Sequence, residues 1–130
     1  MSARTWQRVL RAITTLVTLD SFAQAMFAGR FMAGSYDALD AHAANAGVLF
    51  GGILVMTVCF AAAWRFAGVP WWTAAVGVGL TLAAGIQIML GYRMALAVHI
   101  PLGVMLVAGL LALTIQAWST ASAAIPAAGR

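Results

Sequence analysis

Apolar residues fill this chain in four long blocks, parted by short polar or turn-forming breaks. Ala43 to Trp64, Phe66 to Tyr92 and Met94 to Gly129 carry no charged residue, and Ile13 to Gly29 is interrupted only by Asp20. A helix that crosses a bilayer needs about 20 mostly apolar residues, so each block is near or above that length. The pattern predicts spans over Trp6 to Phe31, Ala41 to Phe66, Trp71 to Tyr92 and Leu96 to Trp118. The predicted fold is all-α: an integral membrane up-down four-helix bundle in which residues 1–130 form a single transmembrane domain.

The breaks have their own chemistry. Gly34 to Asp40 is polar, with Ser35 or Asp37 expected to cap the second helix and Asp40 expected in its first turn. Gly68-Val69-Pro70 separates the second and third spans. Trp6, Trp64, Trp71, Trp72 and Trp118 all fall at the level of that break, as tryptophans prefer at a membrane interface. Gly47 and Gly51 form a small-xxx-small pair of the kind that lets membrane helices approach closely. The expectation here is an ordinary packing seam.

The two ends of the bundle are also related by sequence. Gln24-Ala-Met-Phe-Ala-Gly-Arg30 aligns with Gln87-Ile-Met-Leu-Gly-Tyr-Arg93 at an offset of 63, and each copy is followed by a histidine opening the next span. Either the chain is a duplicated helical hairpin or small and apolar residues align by chance; parallel repeats are common among membrane proteins.

Composition narrows the function classes. The chain is 64% hydrophobic and 8% charged, against about 25% charged in a typical soluble domain. The pI near 10.7 comes from arginines scattered around apolar spans, with no basic stripe, so nucleic acid is not the expected partner. Arg4, Arg8, Arg11 and Arg65 lie on one side and predict that both termini are cytoplasmic, as in a bacterial inner membrane protein. Arg30 and Arg93 fall on the other side, against that trend. The first span also imitates a secretory signal, with arginines, the run ITTLVTL and Ala23-Gln24-Ala25. It is expected to stay as a helix, because its loss would leave a bundle of three. Cys59 is the lone cysteine and is expected to serve packing.

The chemistry left is concentrated in a few residues. His42 and His99 open alternate spans, which run parallel in an up-down bundle, so both imidazoles reach the same end. That is a donor set for b-type haem held between facing helices. Ala46 and Gly103 follow the histidines by four residues, on the same helix faces, where small side chains would admit a flat macrocycle. Pro101 removes an amide donor near His99. Arg30 and Arg93 are suited to haem propionates. A plainer account has the histidines bonding water or headgroups and the arginines snorkelling. Asp20, near the middle of the first span, is expected to face inward and to bond Gln24, Gln87 or Thr15; a proton relay through it is the sharper alternative.

These residues support a membrane haem-binding protein for electron transfer or haem handling near the outer face. The rival is a cofactor-free accessory subunit of a larger membrane complex, and a proton-coupled transporter using Asp20 comes third. No catalytic set stands out.

The segments QAMFAGRF, DAHAANAGVLFGGILV, GIQIMLGYR and LAVHIPLGVMLVAGLLAL resemble a group of small bacterial four-helix membrane proteins of unknown function. The arrangement is also similar to one half of haem A synthase, a membrane enzyme with two four-helix halves and histidines on the second and fourth helices of each. That resemblance implies axial-ligand positions for His42 and His99. The present chain has one such half and lacks the acidic residue expected near the catalytic haem, so the resemblance implies a single haem-binding half, or a homodimer that rebuilds two.

Overall fold

The computed structural model describes residues 1–119; the end of the last uncharged block, up to Gly129, lies outside that range. The described residues form α1 (Ala3–Met32), α2 (Asp37–Ala67), α3 (Trp71–Tyr92) and α4 (Leu96–Ser119), with no strand. The all-α four-helix architecture predicted from the hydropathy pattern is the one observed, and α3 and α4 begin at the predicted residues.

The helix starts differ in how they are satisfied. Ser2 caps α1, its Oγ accepting from the Thr5 amide at 3.2 Å. α2 begins four residues before its predicted start, so Asp37 and Asp40 both lie in its first turn, where carboxylates offset the positive end of the helix dipole. The expected side-chain cap does not form. The capping position is Tyr36, which makes no side-chain cap bond, and Ser35 contributes only its carbonyl, which accepts from Ala38 at 3.0 Å.

α2, α3 and α4 are each long and apolar enough to cross a membrane. α1 spans 30 residues, about 45 Å at ~1.5 Å per residue, but it carries Arg4, Arg8, Arg11, Asp20 and Gln24 and is the least apolar of the four. The bundle surface exposes many large leucine, valine, isoleucine and methionine side chains, a coat suited to lipid rather than water. Trp64, Trp71, Trp72 and Trp118 are exposed around the end where α2 meets α3.

Each helix packs against two others in the cycle α1, α2, α3, α4 and back to α1, while the diagonal pairs keep their backbones apart. Between them, α2 supplies Ile53, Met56 and Phe60 and α4 supplies Leu106, Leu110 and Leu113 to one buried cluster. Ile53 and Leu110 are 57 positions apart, as are Met56 and Leu113, and as are His42 and His99.

The repeat seen in the sequence is therefore a geometric one. α1 maps onto α3 at an offset of 63, and α2 onto α4 at 57. Thr18 of α1 meets Thr114 of α4 at 2.8 Å, and the images of those residues, Thr81 and Thr57, meet at 3.0 Å. Val17 packs over Gly52, and its image Leu80 packs over Gly109. α1 and α3 also end alike: Ala33, Gly34 and Ser35 donate to carbonyls four, three and five residues back, and so do Arg93, Met94 and Ala95. Gly34 and Met94, the middle residues of these turns, both have positive φ, at 97° and 55°. The first hairpin is longer by six residues, shared between the end of α1 and the start of α2.

Candidate functional site

The end of the bundle that holds the α1–α2 and α3–α4 links contains the main polar cluster among the described residues. In the first hairpin, His42 Nδ1 donates to the Gln24 carbonyl at 3.1 Å and the Gln24 amide donates to the His42 carbonyl at 3.0 Å. In the second, His99 Nδ1 donates to the Gln87 carbonyl at 3.0 Å and the Gln87 amide donates to the His99 carbonyl at 2.8 Å. Each glutamine and histidine thus clamp one another across a hairpin.

This geometry decides the tautomer. A backbone carbonyl only accepts, so each Nδ1 carries its proton and, in the neutral ring, each Nε2 keeps a lone pair. The two half-buried rings approach across the α2–α4 diagonal with centroids 6.2 Å apart and planes inclined at 63°. The sequence expectation that the bundle brings His42 and His99 together holds.

The two clamps are not identical. Asn45 Nδ2 donates to Gln24 Oε1 at 3.0 Å, whereas the equivalent position in the second half is Leu102 and Gln87 Oε1 is buried with no hydrogen-bond partner. The Gln24 amide also lies 3.3 Å from His42 Nε2. Glycines shape the second clamp: a Cβ on Gly91 would stand 3.1 Å from His99 Cε1, and one on Gly103 would stand 2.9 Å from Gln87 Nε2. The space beside Gly103 thus holds the Gln87 amide. Ala46 occupies the matching place in the first half.

No family model matches the chain, and no curated protein or solved structure does.

Arg30 lies in the last turn of α1 and Arg93 caps α3, so both cations favour the negative ends of their helices at the histidine end. Both are exposed, and neither is ion-paired with a described residue. Pro101 sits inside α4, one position beyond the residue that follows His99, and leaves the Ala97 carbonyl without its usual helical donor. Cys59 is partly buried against the core cluster, the packing role expected of it.

Asp20 is a correction. It makes none of the expected bonds to Gln24, Gln87 or Thr15. Both glutamines are committed to histidines, and Thr15 accepts from Trp118 Nε1 at 3.2 Å. The carboxyl instead lines a shallow surface groove with Ile13, Leu16, Val17, Val48 and Gly52. The rotation of α1 that buries Leu10, Thr14, Val17, Thr18 and Ser21 sets Asp20 at the α1–α2 edge of the bundle.

Among the described residues no group of three or more histidine, cysteine, aspartate or glutamate side chains converges. The donor set is two imidazoles and nothing more. That is too few for a tetrahedral zinc site, which takes four ligands; a haem, were one bound, would need no more than these two from the protein. By donor type and number, the pair suits a group that brings further ligands of its own.

Proposed function

We propose that this chain is a membrane protein that holds one b-type haem between His42 and His99. The observation carrying the proposal is that both imidazoles give Nδ1–H to a backbone carbonyl of their own hairpin and meet across the bundle diagonal at 6.2 Å. A histidine that ligates a metal through one nitrogen regularly donates the other N–H to such an acceptor, which fixes the ring and raises its basicity. Haem, when bound, supplies a one-electron redox couple. The chain supplies two imidazole donors and, in Arg30 and Arg93, exposed guanidinium groups suited to propionates. Ligation by His42 would require the Gln24 amide to leave Nε2, to which it now lies at 3.3 Å.

Electron transfer or haem handling is the role that fits such a site. A bacterial inner membrane location with both termini cytoplasmic accords with Arg4, Arg8, Arg11 and Arg65 at the opposite end of the bundle. The resemblance to one half of haem A synthase belongs to this reading.

A second reading has an observation of its own. Gln24 already contacts His42 Nε2, and Gln87 already fills the space beside Gly103, so the chain's own side chains occupy both places. On that reading the chain is a cofactor-free accessory subunit, and the clamps only tie hairpins together.

A reduced-minus-oxidised absorption spectrum of protein purified in mild detergent from haem-replete cells, with a pyridine assay of haem per chain, separates the two. Sharp reduced α and β bands, lost in both His42→Ala and His99→Ala, are the expected result. A colourless, folded protein sinks the haem reading and leaves the accessory one.

A further inference from the structure

The two clamps differ at Nε2, the nitrogen that each Nδ1–H bond leaves with a lone pair. In the first, the Gln24 amide lies 3.3 Å from His42 Nε2 as well as 3.0 Å from the His42 carbonyl, and Asn45 Nδ2 holds the oxygen of that amide at 3.0 Å. In the second, the Gln87 amide reaches the His99 carbonyl alone, and His99 Nε2 meets no hydrogen-bond donor among the described residues. Leu102 stands where the first half has Asn45, and the Gln87 oxygen is buried without a partner. One histidine thus has a donor within the chain beside its lone pair, and the other has none.

The difference has a consequence wherever both rings ligate one metal. A coordinated Nε2 has its lone pair on the metal and cannot accept from an N–H at the same time. When His99 lets go, that lone pair meets no donor of the chain in a half-buried place, and release carries the cost of an unmet acceptor. When His42 lets go, the Gln24 N–H is beside the nitrogen to donate to it, so release costs less. Each ring has its own Nδ1 bond to a hairpin carbonyl, so the rest of the clamp does not offset the difference.

We propose that His42 is the exchangeable ligand of the site and His99 the permanent one, so that a small neutral diatomic molecule that binds reduced iron enters where His42 leaves. The inference rests on the haem reading of the same two histidines. The exchange involves no redox change: the lone pair of His42 Nε2 returns to the ring and accepts from the Gln24 N–H, and the lone pair of the incoming molecule takes its place on the metal. Gln24 is a positioning residue here, competing for the His42 nitrogen, and Asn45 points its amide. Donors placed beside a haem ligand in this way decide between electron transfer and the binding of small molecules.

The test titrates carbon monoxide into the reduced full chain in mild detergent, follows the absorption change, and measures haem per chain by the pyridine assay. The wild type is expected to bind the gas. His42→Ala is expected to keep more haem per chain than His99→Ala. Asn45→Leu, which makes the first clamp like the second, is expected to weaken carbon monoxide binding about threefold, in keeping with an acceptor left unmet when His42 leaves. Added to His99→Ala, the same change is expected to raise the haem retained, because His42 then ligates without a competitor; a purely structural role for Asn45 would lower it. The two histidine variants decide the matter even where Asn45→Leu fails to fold. A haem-loaded protein that takes up no carbon monoxide, takes it up equally well as Asn45→Leu, or keeps less haem as His42→Ala than as His99→Ala would overturn the exchange and leave the haem reading standing. A colourless, folded protein overturns both.

Discussion

Gln87 and His99 hold each other by reciprocal bonds, the amide of one to the carbonyl of the other at 2.8 Å and the ring of the second back to the carbonyl of the first at 3.0 Å. The arrangement fixes the glutamine amide, because Nε2 must face the carbonyl. Its oxygen is thereby turned to a buried place with no donor. The first clamp avoids this through Asn45.

Asn45 therefore marks the difference between the clamps. Asn45→Leu leaves Gln24 Oε1 in the state of Gln87 Oε1 and should cost about 1 kcal/mol, the scale of an unmet buried acceptor. Unfolding of the variant in mixed micelles, followed by circular dichroism, measures it. No loss would mean that lipid or water satisfies Gln24 equally well.

Gln24→Leu should destabilise more than Gln87→Leu. It removes bonds to the His42 carbonyl and to Asn45 as well as the contact with His42 Nε2, whereas Gln87→Leu removes one side-chain bond and also deletes the unmet acceptor. Side-chain hydrogen bonds in membrane proteins average about 0.6 kcal/mol, so the same unfolding assay should separate the variants by about 1 kcal/mol. The reverse order would show that the second clamp dominates.

Two glycines of α3 should behave in opposite ways. A Cβ at Gly77 would meet Thr57 Oγ1 at 2.8 Å and its Cβ and Cγ2 at 3.2 Å, while one at Gly79 meets nothing. Thr57 is β-branched and held by the Ile53 carbonyl and Thr81, so it yields poorly. Gly77→Ala is expected to lower stability by about 1–3 kcal/mol through overpacking. Gly79→Ala should be neutral or stabilising, since alanine favours helix by about 1 kcal/mol.

At the paired helix ends, Gly34→Ala should cost about 1 kcal/mol or more, because its φ of 97° suits only glycine. Met94→Gly should change stability by less than about 0.5 kcal/mol, the strain released at φ 55° offsetting the added freedom of the unfolded chain. Thermal melts of the two variants side by side check the contrast.

The helices were legible because apolar runs of membrane length leave few alternatives, and Gly68-Val69-Pro70 marks the one break at the other end of the bundle. The two histidines were legible as a pair for the same reason, since helix order alone puts them at one end. The partners of Gln24 and Gln87 were not. Both glutamines looked available to Asp20, and only the rotation of α1 about its axis decides which side chains face α2 and which face lipid. Asn45 carried no signal, because an amide in a small-residue run becomes informative only once Gln24 is seen one helix away. Gly47 and Gly51 are expected from sequence to form an ordinary packing seam, but a Cβ at either would meet nothing within 4 Å, so they make no close contact within the described bundle.

Each clamp closes within a single hairpin, between residues 18 positions apart in the first half and 12 in the second. Short separations close early and at little entropic cost. During synthesis, α1 and α2 can therefore fasten to each other before α3 has left the ribosome, and α3 and α4 can do the same afterwards. Maturation of the bundle then becomes the docking of two finished pairs, with the threonine ties between α1 and α4 and between α2 and α3 made last.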